Sequence, residues 1–184
     1  MTRYSGVSVS DLVDAPQEQS PRERALAQRV FAVLRIVLGF TFFWAFLDKL
    51  FGLGYATPSA RAWINGGSPT RGFLANSASG PFESFYKDIA GAAWADWLFM
   101  IGLAGIGAAL LLGVGMRIAA VAGALLYLLM WTVVLPPETN PVVDDHIIGA
   151  LVLIALALVH AGDAWGLGRW WKHQPLVREH SWLI

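Results

Sequence analysis

The stretch from Val30 to Leu50 reads VFAVLRIVLGFTFFWAFLDKL, and it decides the fold. The apolar run holds a single cation, Arg35, before the pair Asp48–Lys49 near its end. About 20 such residues in a helix, rising 1.5 Å each, cross the ~30 Å hydrocarbon core of a bilayer. Three more stretches of this kind follow, at about 97–114, 118–135 and 141–161. The expected fold is all-α: an integral membrane bundle of four transmembrane helices, with a long helical outer loop between the first and the second.

Composition points the same way. Of 184 residues, 56% are hydrophobic and only 14% charged, whereas a soluble domain carries about 25% charged residues. The formal net charge is zero, so no long-range field draws in nucleic acid. The chain has no cysteine, which excludes disulfides, thiolate-held iron–sulfur clusters and thiol chemistry of its own. Residues 1–28 read as a polar cytoplasmic tail carrying Asp11, Asp14, Glu18 and Glu23. No apolar core precedes a small-residue cleavage site there, so the first span is expected to act as its own insertion signal. A membrane domain over 29–171 and a cytoplasmic tail over 172–184 complete the organisation.

Local signals set the boundaries. The connection Gly113–Val114–Gly115–Met116–Arg117 is short, so spans two and three form an antiparallel hairpin. Pro136–Pro137 ends span three. Asn140–Pro141 reads as an N-cap followed by Pro at the first helical position, which puts Asp144, Asp145 and His146 inside the first two turns of span four.

Cation placement sets the orientation. Arg3, Arg22, Arg24 and Arg29 precede span one, Arg117 lies between spans two and three, and Arg169, Lys172 and Arg178 follow span four. The expected location is the cytoplasmic (inner) membrane, with both ends on its cytoplasmic side. Trp44, Trp94, Trp97 and Trp131 would form the outer aromatic belt, and Trp165, Trp170 and Trp171 the inner one.

The outer loop, Gly52 to Ala92, has three apparent helix starts, at Thr57–Pro58, Ser68–Pro69 and Gly80–Pro81. After the last, Phe82, Phe85, Tyr86 and Ile89 recur at helical spacing, as in an amphipathic surface helix. Such a helix is either a lid on the bundle or simple packing on the membrane surface. Gly102, Ala104, Gly105, Gly107 and Ala108 on span two read as close helix packing.

Ionisable groups inside spans are costly and mark function or pairing. Arg35, Gly39, Phe42, Phe46 and Lys49 share one face of span one. His146 and His160 are two heptads apart, about 21 Å along span four. If spans one and four are antiparallel neighbours, Lys49 lies level with Asp144, Asp145 and His146, and Arg35 level with His160 and Asp163. Arg35 would then be ion-paired, or else snorkel to headgroups. The outer group suits a lipid-soluble quinone, which needs proton donors, a hydrogen bond to a carbonyl and aromatic neighbours. In that reading Lys49, Asp145 and His146 bind and protonate the head. Asp48, Asp96 and Asp144 tune or relay protons, and Trp44 and Trp97 bracket the ring. Arg35, His160 and Asp163 organise the other half. The histidines lie too far apart along the helix to hold a haem between them. Asp144, Asp145 and His146 fan out around the helix, which argues against a metal site. No dinucleotide, Walker or Ser-His-Asp signature occurs.

R-I-V-L-G-F at Arg35–Phe40 and D-K-L at Asp48–Leu50 resemble the first helix of the DoxX/DoxD family. S-P-T-R-G-F-L at Ser68–Leu74, G-P-F at Gly80–Phe82 and W-A-D-W-L-F at Trp94–Phe99 continue the resemblance. So do G-V-G-M-R-I-A-A-V-A-G-A at Gly113–Ala124, N-P-V-V-D-D-H at Asn140–His146 and W-G-L-G-R-W-W at Trp165–Trp171. The resemblance covers roughly Arg29 to Trp171. It implies a four-helix membrane protein akin to the membrane subunit of thiosulfate:quinone oxidoreductase. That complex passes electrons from thiosulfate, which becomes tetrathionate, to membrane quinone, and it normally includes a DoxA partner subunit. Other family members resemble scaffolds for soluble redox enzymes. Three expectations result: a quinone-linked oxidoreductase subunit, a non-catalytic anchor or assembly scaffold, and a small-solute transporter. Lipid, quinone, a DoxA-like or soluble redox subunit and a second copy of the chain are the expected partners.

Overall fold

A computed structural model describes residues 20–138 and 140–184. Arg3, Asp11, Asp14 and Glu18 lie outside the described residues, which are helical throughout their regular structure, with no strand. Helix α1 is Pro21–Phe51. The outer loop carries α2 (Arg71–Ser77) and α3 (Glu83–Asp88). Then come α4 (Ala93–Leu112), α5 (Met116–Val133) and α6 (Asp145–Leu158). Short helices α7 (Gly168–Lys172) and α8 (Pro175–Glu179) close the chain.

Helix α1 begins well before the expected span. Ser20 and Glu23 form a reciprocal cap: Glu23 N donates to Ser20 Oγ at 3.3 Å, and Ser20 N donates to the Glu23 carboxylate at 2.7 Å. Pro21 supplies the preset φ of the first turn. The helix ends where Gly52 turns left-handed (φ 65) and its N–H returns to Asp48 O.

The bundle is two tight pairs, α1 on α4 and α5 on α6, joined by the α4–α5 hairpin. Missing side chains set each pair's distance. A Cβ on Gly39 would sit 2.8 Å from Leu110 Cβ, and one on Gly107 2.7 Å from the Phe43 backbone nitrogen. In the second pair, a Cβ on Gly123 would sit 2.6 Å from Leu153 Cδ1. Of the span-two glycines expected to pack closely, only Gly107 does. Gly105 faces open space, and Gly102 has one distant neighbour, Leu126 at 3.9 Å. Phe42, Met100, Leu103, Ile106, Leu110, Leu153 and Leu156 form the buried core.

The outside is equally apolar. Leu98 is 64% exposed, Val121 71% and Leu151 63%. A soluble monomer rarely shows so continuous an apolar surface, whereas hydrocarbon accepts it without cost. Helices α1, α4 and α5 are long and apolar enough to cross a membrane, and they mark the chain as a membrane protein.

Span four differs most from expectation. Helix α6 has 14 residues, about 21 Å of rise, and is the shortest of the bundle's apolar helices. Asn140 does not cap it. Its Oδ1 accepts from the N–H groups of Val142 and Val143 in a separate turn, and the helix starts at the next good cap, Asp144. Asp144 therefore precedes the helix instead of lying within it. At the other end His160 adopts a left-handed conformation (φ 52) and lies beyond the helix, so His146 and His160 do not share a helical face.

Candidate functional site

Arg35 is fully buried, and its partners are backbone carbonyls. Nε donates to Ala161 O at 3.2 Å, and Nη1 donates to Leu110 O and to Leu111 O at 3.0 Å. Nη2 donates to Ala164 O at 3.4 Å and Trp165 O at 3.0 Å. The carbonyls of Leu110 and Leu111 are orphans of the α4 C-terminus, where a cation is also favoured by the helix dipole. The other three come from the turn after α6. His160 and Trp165, both at φ 52, bend that turn around the guanidinium, a conformation that costs non-glycine residues about 1–2 kcal/mol each. The expected partners are thus corrected. Asp163 pairs with Lys172 at 2.6 Å, His160 is exposed, and Arg35, buried inside the bundle, does not snorkel and forms no ion pair among the described residues. A planar fork with five donors matches five carbonyls better than one carboxylate does.

Two outer carboxylates are anchors. Asp48, 2% exposed, accepts from Tyr55 N at 3.2 Å and Ala56 N at 3.0 Å. Asp96, 6% exposed, accepts from Ser68 Oγ at 2.9 Å, Thr70 N at 3.0 Å and Thr70 Oγ1 at 2.6 Å. Both fasten the outer loop to the ends of α1 and α4. The loop is tied to α5 as well: Ser79 N donates to Val133 O at 2.9 Å, and the Tyr86 hydroxyl bonds to Thr132 Oγ1. Phe82 and Phe85 stay exposed while Tyr86 is buried, so the outer helix docks by one aromatic.

Under this roof, between α4 and α5, lies a cavity of about 380 Å³. Phe73, Tyr86, Trp94 and Phe99 contribute its aromatic walls, and Lys49 its one charged group. The space exists partly because Gly102 borders it without a side chain. Leu98, Leu125 and Leu129 line it and are also exposed on the bundle surface, so its mouth opens on an apolar face. Among the described residues Lys49 makes no ion pair.

Asp144, Asp145 and His146 do not line this cavity. They form a second outer group on α6. Asp144 accepts from His146 N at 3.0 Å and Ile147 N at 3.3 Å, and it bonds His146 Nδ1 at 2.7 Å. The His146 ring packs edge-on against Tyr127, which packs against Phe42. Asp145 is exposed at the first helical position. Trp44 stacks with Phe40 and meets Tyr55 edge-on, and Trp97 meets Trp63; neither lines the cavity. The single outer cluster expected from depth thus resolves into two, because α1 packs on α4 and α6 on α5.

Partial burial would raise the Asp144 pKa. The hydrogen bonds from His146 and Ile147, with the histidine's charge, outweigh it and hold the carboxyl below its usual range. A lowered folded pKa means the cap's contribution is full above the unfolded carboxylate pKa, ~3.9. It is lost as pH falls through the folded value. Asp144→Ala should destabilise the protein by about 1 kcal/mol at neutral pH. That loss should shrink toward zero in acid, as read by thermal unfolding across pH. A pH-independent loss would rule out the cap.

No family model, curated protein or solved structure matches this chain.

Proposed function

We propose that this protein is a four-span membrane subunit of a quinone-linked oxidoreductase of the DoxX/DoxD type, with both ends cytoplasmic in the inner membrane. The apolar, aromatic-walled cavity opening toward lipid, with one ammonium at Lys49, carries this reading. A benzoquinone ring is flat and apolar, reaches its site through the bilayer, and offers carbonyl oxygens to a donor. Lys49 is the residue we assign to the quinone carbonyl. The Asp144–His146 pair is a separate proton-exchange group at the outer surface: a hydrogen bond at Nδ1 fixes the ring and leaves Nε2 for water. Arg35 acts structurally, and Asp48 and Asp96 hold the roof. Thiosulfate fits as the donor: two thiosulfates each give up one electron, joining as tetrathionate, while quinone takes two electrons and two protons. A DoxA-like or soluble subunit would complete the electron path.

The test is thiosulfate-dependent quinone reduction in membranes containing the chain with and without candidate partner subunits. Lys49→Met should lower that activity at least about tenfold, the loss of one charge-assisted hydrogen bond, with little change in melting temperature. Unchanged activity would remove Lys49 from the site.

The scaffold reading keeps a specific support. Asp48 and Asp96, two carboxylates expected to relay protons, are engaged with backbone and hydroxyl donors. A scaffold would co-purify with a soluble redox partner and tolerate Lys49→Met.

A further inference from the structure

We infer that the cavity also takes the anion of a long-chain fatty acid, with its carboxylate on Lys49 and its chain along the walls. This binding goes beyond the quinone reading and stands on the cavity alone; only the competition between the two ligands rests on that reading. Shape is the first observation. On α4 the lining runs from Ala95 to Ile106, and on the antiparallel α5 from Val133 back to Ala122. Each stretch rises about 16 Å, so the space is a slot along the helix axes. A single alkyl chain fits such a slot, and it meets the bundle surface at Leu98 and Leu125.

Charge is the second. Lys49 forms no ion pair among the described residues, and the carboxylate beside it in sequence, Asp48, is engaged with Tyr55 N and Ala56 N. No acidic side chain lines the walls. A cation in apolar surroundings is costly until an anion meets it. A carboxylate does so with both partners charged, which a neutral ester does not match. The chain leaves one hydrocarbon environment for another, so its burial contributes little and the head group decides the affinity. A phospholipid adds glycerol and ester oxygens and a second chain, more than a cavity of about 380 Å³ with one cation accommodates. A free fatty acid brings one chain and no polar group besides its carboxylate.

The test is binding of a radiolabelled long-chain fatty acid to the whole chain in zwitterionic lipid nanodiscs, measured against empty discs. Binding should saturate, and the methyl ester should displace the label at least about tenfold less well than the acid. Lys49→Met should weaken binding of the acid at least about tenfold, and Lys49→Arg should retain it. Gly102→Leu, which puts a side chain into the open space there, should remove binding while the protein still melts cooperatively. No saturable binding, an ester as effective as the acid, or binding that survives Lys49→Met would overturn the inference. Displacement by an anionic phospholipid as readily as by the acid would overturn it too, and assign the site to a lipid head group. A short-tailed benzoquinone should displace the label. Saturable acid binding that quinone leaves untouched would overturn the shared site and the quinone reading, and leave the fatty-acid site standing. Saturable quinone binding without acid binding would overturn the inference alone.

Discussion

Arg35→Leu is expected to leave little folded protein. The substitution removes five hydrogen bonds at one point and strands carbonyls from two segments in a buried site. An acceptor left dry costs about 1–3 kcal/mol, and five carbonyls lose this donor together. Those amounts are comparable with the whole stability of many domains, about 5–15 kcal/mol. His160 and Trp165 would also keep their left-handed strain with nothing to offset it. Arg35→Lys should be intermediate, since an ammonium cannot span carbonyls arranged around a planar fork. Thermal unfolding and size-exclusion profiles in detergent would read this. An Arg35→Leu protein melting within a few degrees of the parent would refute the clasp.

Asp96→Ala should open the roof without unfolding the bundle. Three donors from Ser68 and Thr70 lose a shared acceptor. Hydrogen bonds to a charged group contribute about 1.5–3 kcal/mol each, and non-additivity brings the joint loss to about 2–4 kcal/mol. Amide exchange over residues 68–78 should accelerate by about 30- to 1,000-fold, while exchange in α5 and α6 stays as it was. Unchanged exchange over 68–78 would mean that Asp96 does not fasten the loop. Asp96→Asn keeps one acceptor and should fall between.

The sequence made the apolar helices legible because crossing hydrocarbon demands a long unbroken run, a pattern few other constraints imitate. The true start of α1 was also readable, since Ser20-Pro21-Arg22-Glu23 carries all the parts of a capping box. It is easily passed over when hydropathy alone marks the boundary. Two good caps, Asn140 and Asp144, compete before α6, and the nearby turn takes the first. Charge matching led to Asp163 and His160 as partners for Arg35 because ion pairs are visible as residue types. Backbone carbonyls are not, since every residue has one. The same limit hides the anchoring work of Asp48 and Asp96. Lys49 was legible as an intramembrane cation, but its surroundings were not. The cavity depends on the missing side chain at Gly102 and on a roof whose ties join residues far apart in sequence.

The five-carbonyl clasp also imposes an order on biosynthesis. Arg35 sits in the first apolar helix to be made, yet Ala161, Ala164 and Trp165 are translated more than a hundred residues later. Until they arrive, the guanidinium must borrow water or lipid phosphate, which keeps α1 near the membrane surface. The turn after α6 thus locks a helix made long before it, and a chain interrupted before that turn carries a cation it has no means to bury.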